Sequence, residues 1–216
     1  MLKIEFVKSF IGNQNMKIFL FTLLSLTLVF SAQAESAKPV KFDLATSTLK
    51  WTGKKVTGSH TGELKLKSAS GQINPDNSVA GTFQVDMTTL KNTDLETPKD
   101  NKKLVDHLSS PDFFKVEAFP IVTFEITNST PIKDAKAGEP NMNITGSLSI
   151  KGITHAVTFP ATVTVVDGKV SAKGTAVVDR TQFDVRYGSG KFFEGLGDKL
   201  IYDDFEVEIS LEGQVA

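Results

Sequence analysis

The side chains able to do chemistry in this 216-residue chain are few and far apart. Its three histidines, His60, His107 and His155, sit in three separate blocks. None has the i, i+4 or carboxylate spacing that metal sites and hydrolases use, so each is assigned to structural hydrogen bonding. A converging three-histidine zinc site is the alternative to that assignment. The two arginines, Arg180 and Arg186, flank Phe183 and Asp184. A planar guanidinium suits a bidentate oxyanion, which leaves two readings open: contact with a phosphate head group, or an ion pair that pins the segment 179–187. The absence of cysteine removes disulfides, thiolate metal sites and cysteine nucleophiles. The chain has no nucleophile elbow, no phosphate loop and no carboxylate pair in an apolar setting. No catalytic residue, metal or cofactor is expected, and an enzyme using His155 or His107 as a base is the competing reading.

What the chain has in quantity is phenylalanine, 16 residues against 2 tyrosines and 1 tryptophan. Phenylalanine brings apolar area without a polar group that needs a partner, so an interior rich in it suits an alkyl or isoprenoid chain as well as a plain core. Phe113-Phe114 and Phe192-Phe193 fall on irregular segments with no sheet face to satisfy. These pairs are expected to form a lid or tunnel mouth, with simple plugs as the alternative.

The elements that must position these residues are strands. From Val79 the sequence alternates, with Val79, Gly81, Phe83, Val85 and Met87 on one face and Thr82, Gln84 and Asp86 on the other. The same period places Leu49 and Trp51, then Leu64 and Leu66, then Val122, Phe124 and Ile126 on apolar faces. Met142, Ile144, Leu148 and Ile150 follow, then Val157 to Val165, Val170 to Val178, and Phe205 to Leu211. Turn chemistry separates the runs, including Lys151-Gly152 and Asp167-Gly168, the latter closing a hairpin from Val157 to Val178. The pattern predicts an antiparallel all-β domain of about eight strands. Pro98 to Leu108 has helical spacing and is read as one short helix. Ile132 to Pro140 reads as a polar surface loop, and the glycine-rich stretch 187–200 as a loop that tucks its aromatics inward. Alternation alone fits a sandwich or a barrel. Gly81, Gly146 and Gly174 lie in phase with inward residues and favour a barrel, whose interior at eight strands holds one small ligand.

The amino-terminal end reads as an address. Met16-Lys17, the apolar run Ile18 to Phe30 and the ending Ala32-Gln33-Ala34 make a secretory signal peptide, with cleavage expected after Ala34 and Met16 as an alternative start. The run is too short to span a bilayer, so residues 1–34 are the leader and 35–216 a single domain with no stable membrane insertion. A formal net charge of −1 offers nucleic-acid phosphates no basic face. A periplasmic or secreted location is expected.

Several blocks in order, W51-T-G-K-K-V-T-G-S-H60-T-G, G81-T-F-Q-V-D-M, H107-L-S-S-P-D-F-F114, F119-P-I-V-T-F-E, G146-S-L-S-I-K-G-I-T-H155 and R180-T-Q-F-D-V-R-Y-G-S-G-K-F-F193, resemble the YceI-like family of bacterial secreted proteins. The resemblance covers nearly all of the chain after the leader. It implies a lipocalin-like antiparallel barrel that holds a polyisoprenoid or another long-chain amphiphile in a central tunnel. Asp184 departs from the glycine that many members carry, and Y-G-S-G-K-F-F with L-G-D-K-L-I-Y-D-D-F is an extension associated with a subgroup. With the inward faces above, the candidate ligand-binding set is Phe83, Val85, Phe113, Phe114, Phe124, Ile126, Ile144, Leu148, Phe183, Arg186, Phe192 and Phe193. The expected function is a carrier of an isoprenoid or fatty amphiphile. A stress-related interaction protein with an incidental cavity competes with it, and a homodimer stays open.

Overall fold

The computed structural model describes residues 35–216, so the leader and its cleavage site lie outside the described residues. Nine strands form one sheet: β1 (Lys38–Phe42), β2 (Thr48–Lys55), β3 (Gly58–Ile73), β4 (Val79–Asn92), β5 (Ile121–Pro131), β6 (Met142–Ile150), β7 (Ile153–Val166), β8 (Lys169–Asp179) and β9 (Ile201–Val215). Each strand from β2 to β9 pairs antiparallel with its neighbour in sequence, and β2 pairs with β9, which closes the sheet on itself. The choice between sandwich and barrel is settled by that pairing: a closed ring has no edge left to fold over. The short β1 is not a ninth stave. It pairs with β3 through Val40↔Gly71 and with β9 through Val40↔Val215, continuing the line of β2 beyond a turn at residues 43–47. Eight staves result.

The turns follow from local chemistry. Lys151 and Gly152 take φ of 52° and 76°, and Asp167 and Gly168 take 51° and 76°. Left-handed conformation at both central positions is the two-residue turn whose twist matches the flanking strands. Bulges where β3 meets β4, β5 meets β6 and β2 meets β9 supply the bends a small barrel requires.

Gly146 shows what the inward glycines do. A Cβ there would lie 2.3 Å from the Phe124 ring and 2.6 Å from the Glu125 carbonyl. Its missing side chain makes room for a neighbouring phenylalanine, and Phe124 in turn lies 5.8 Å from Phe159.

One helix, α1 (Pro98–Ser109), starts with proline in its first turn, where the absent N–H costs nothing. It packs against β4, and Leu104, His107 and Leu108 reach the barrel interior. The long connection from β8 to β9 adds two short 3₁₀ turns, Arg180–Phe183 and Gly197–Lys199, at the same end.

Candidate binding cavity

The inner faces of the staves do not meet. They enclose a cavity of about 560 Å³, inside the range of about 300–1,000 Å³ typical of small-molecule sites. Its wall is built by the period-2 rule: Leu49 and Trp51 from β2, Phe83 and Val85 from β4, Phe124 and Ile126 from β5, Ile144 and Leu148 from β6, and Phe205, Ile209 and Leu211 from β9. Phe124, Ile126, Leu148, Phe205 and Ile209 are only half-buried although they face inward. Apolar surface left uncovered inside a barrel is surface that an apolar ligand can cover.

Polar side chains reach the wall mostly at one end, where α1, the β2–β3 hairpin and the 184–200 connection gather. His60 stands there with Nδ1 2.8 Å from Asp94 Oδ2. The other carboxylate oxygen accepts from the Thr61 N–H at 2.8 Å and from the Asn92 amide. Partial burial would raise the Asp94 pKa, but those three hydrogen bonds outweigh it and hold the carboxyl below the ordinary range. An ionised Asp94 only accepts, so His60 Nδ1 donates. His107 lies edge-on between Phe113 and Tyr187, with ring centroids 4.9 and 4.6 Å away. His155, exposed on β7, meets only the Phe183 ring at 5.3 Å. The three histidines therefore occupy three separate settings.

The two readings of the arginines separate. Arg180 is 4 % exposed, and its guanidinium donates to the carbonyls of Val185 (2.8 Å), Ile201 (3.0 Å) and Tyr202 (3.1 Å). Burial lowers its pKa, against the raising effect of the Asp203 and Asp179 carboxylates. Asp179 is held below the ordinary range because bonds from Lys191 and Thr181 outweigh its desolvation. Arg180 thus ties the β8–β9 connection together. Arg186 is exposed, with Nε 2.7 Å from Asp184 Oδ1 and its guanidinium 4.8 Å over the Phe192 ring.

Of the candidate residues, Phe83, Val85, Phe113, Phe114, Phe124, Ile126, Ile144 and Leu148 line the cavity. Phe183, Arg186, Phe192 and Phe193 do not. Phe183 is 1 % exposed and packs into the core around Ile150, Phe159 and Val178. The connection 187–200 does not tuck its phenylalanines inward: Phe192 and Phe193 are 45 % and 49 % exposed, and of its aromatics Tyr187 alone borders the cavity, with Asp198 and Lys199 beside it. Arg180 spends its guanidinium on the carbonyls of Val185, Ile201 and Tyr202, which anchors the two ends of this connection and not the stretch that carries Phe192 and Phe193. Leu49, Trp51, Phe159 and Phe205, which the alternation places on apolar faces but which the candidate set leaves out, also line the wall, as does Phe42 on β1, which the sequence does not mark. Lys55, Lys199 and Tyr187 carried no such signal.

A family model described as YceI-like domain matches residues 40–213. Among solved structures, Burkholderia cenocepacia BcnA superposes with a TM-score of 0.62 at 24% identity, covering 80% of this chain and 99% of that one. A polyisoprenoid binding domain from Saccharophagus degradans, implicated in plant cell wall breakdown, gives 0.57 at 12% identity, over 84% and 100%. The Campylobacter jejuni YceI protein gives 0.51 at 19%, over 70% and 83%. At these identities the likeness is one of fold. No curated protein matches the sequence.

Proposed function

The chain belongs to the YceI-like family, and from that premise we propose that it is a periplasmic or secreted carrier holding a polyisoprenoid or other long-chain amphiphile in its barrel. The observation that carries this reading is the barrel cavity, several of whose inward apolar side chains are only half-buried. The Saccharophagus relative's polyisoprenoid binding supports the ligand class, and the leader pattern ending at Ala34 supports the compartment. Binding by such a wall is dominated by methylene transfer, worth about 0.8 kcal/mol per CH₂. Affinity should therefore rise about fourfold for each added methylene until the cavity is filled, the equivalent of that energy.

The test is mass spectrometry of an organic-solvent extract from protein purified without detergent from its own compartment, against a matched blank. A stoichiometric long-chain species is the expected result. An empty extract, with no change in Trp51 fluorescence and no rise in melting temperature on adding long-chain amphiphiles, would refute the carrier reading. Trp51 is the chain's single tryptophan and lies in the cavity wall, so its emission reports filling directly.

A further inference from the structure

The carrier reading explains the apolar wall but gives no role to an ordered polar arrangement on one hairpin at the cavity's end. On β2 and β3, Gly53 stands directly opposite His60, and Lys55 opposite Gly58. Gly53 and Trp51 share the inner face by alternation, and past the irregularity after Gly53 both Lys54 and Lys55 border the cavity with Gly53 and His60. Nothing lies within 4 Å of where a Cβ on Gly53 or Gly58 would be, so the two glycines leave open space beside the two basic side chains.

The basic groups differ from their neighbours in being uncommitted. Lys50, on the outer face, and Lys54, at the cavity's rim, pair with Glu208 and Glu206, whereas Lys55 has no ion-pair partner among the described residues. His60 gives Nδ1 to Asp94, and no described residue bonds its Nε2. Asp94 is itself fixed by Thr61 and Asn92. Asn92 is buried and in turn accepts from the Leu95 N–H and the Asn101 amide. A ring held this rigidly by an outer layer of hydrogen bonds, with one nitrogen left free, is built to meet a ligand. Asp94 Oδ1 accepts two hydrogen bonds and Oδ2 one, from His60, so three of the carboxylate's four lone pairs are engaged within the protein. Asp198, Asp204 and Lys199 also border the cavity, two acidic groups and one basic.

We infer that His60 Nε2 and Lys55 Nζ form a head-group site for an anionic amphiphile, a phosphate or carboxylate seated in the space left by Gly53 and Gly58 while its chain runs into the barrel. The inference rests on the carrier reading and adds a preference that methylene transfer alone does not create. Charge-assisted hydrogen bonds are about twice as strong as neutral ones, which sets the expected preference at about tenfold or more.

The experiment titrates Trp51 fluorescence with three ligands of one chain length: hexadecyl phosphate, palmitate and hexadecanol. The native protein should bind at least one of the two anions about tenfold more tightly than the alcohol, and the tighter anion identifies the head group. The double variant Lys55→Gln/His60→Gln should lose that ratio while its hexadecanol affinity stays within about twofold. Gly53→Leu provides a second route, since it fills the space without removing either base and its Cβ meets no neighbour; it should weaken the anion selectively. Equal binding of anion and alcohol by the native protein, or a ratio that survives the double variant, would overturn the head-group site and leave the carrier standing. Failure of all three ligands to bind would overturn both.

Discussion

Replacing Arg180 with methionine removes the charge and keeps much of the volume. The guanidinium is 4 % exposed and donates to three carbonyls, of Val185, Ile201 and Tyr202, at 2.8–3.1 Å. Its Nη2 also lies 3.5 Å from Asp203 Oδ1, a buried oxygen with no hydrogen bond of its own. Methionine would orphan the carbonyls and leave Asp203 without its nearest buried cation, a loss for which breaking buried pairs predicts about 3–5 kcal/mol. At about 2–4 °C per kcal/mol for a domain of this size, the melting temperature should drop by about 6–20 °C. Urea unfolding followed through Trp51 should show a lower midpoint with an unchanged slope. Asp203→Asn in the same background should recover part of the loss, because the orphaned charge is then gone. Arg186→Gln is the control: its exposed pair with Asp184 predicts a change of about 0–1 kcal/mol. A loss below about 1 kcal/mol for Arg180→Met, together with a fall in affinity for anionic ligands only, would refute the structural assignment and put Arg180 on the ligand.

Three further outcomes follow from the same geometry. Phe114→Ala, which removes a wall ring 6.2 Å from Phe205, should weaken a long-chain ligand by about tenfold on the area it contributes, whereas Phe192→Ser/Phe193→Ser should leave affinity within about twofold, both read by Trp51 titration. Gly146→Ala should cost about 1–3 kcal/mol by urea unfolding, because its Cβ meets the fixed carbonyl of Glu125 at 2.6 Å. Asp94 and Asp179 have folded pKa values below their unfolded ones, so they add stability that is present above the unfolded value near about 3.9 and is lost progressively as pH falls from there through the lower folded value. The urea midpoint should hold steady above about pH 5 and fall below about pH 4, and Asp179→Asn should flatten that fall.

Much of this arrangement is legible before any coordinate is seen, because a period of two writes the inside and outside of a stave directly into the sequence. Phe83, Val85, Phe124 and Leu148 reach the cavity on that ground alone. The short β1 escapes the rule: Val40 and Phe42 are too few to show a period, and the partners that make them a strand lie some 30 residues away on β3 and at the far end of the chain on β9. Turn chemistry reads well where it is local, as at Asp167-Gly168. It reads poorly in the 184–200 connection, whose two ends are anchored by carbonyls that Arg180 reaches from five to 22 residues away. His60 illustrates the same limit. Its partner Asp94 lies 34 residues on and is brought to it by the pairing of β3 with β4, so no spacing within one segment announces the pair.

The division of labour inside the barrel follows from what each end can bury. Where β6, β7 and β8 come together, Met142, Ile150, Phe159, Val178 and Phe183 pack into one cluster, of which Ile150, Phe159 and Val178 also border the cavity. Between that core and the smaller cluster of Leu49, Leu66, Phe83 and Leu211, the half-buried faces of Phe124, Ile126 and Ile209 border both. Those two cores supply enough burial to hold the ring closed while the space between them stays open. An unfilled apolar void forfeits dispersion contacts on every atom that borders it. A ligand that binds the folded barrel and not the unfolded chain restores those contacts, adding RT ln(1 + [L]/Kd), about 2.7 kcal/mol at a hundredfold excess over Kd. The same residues thus set both the cost of the empty state and the gain on filling. A wall substitution that enlarges the void should therefore lower the stability of the empty protein and weaken the ligand together, whereas one on the outer face should do neither.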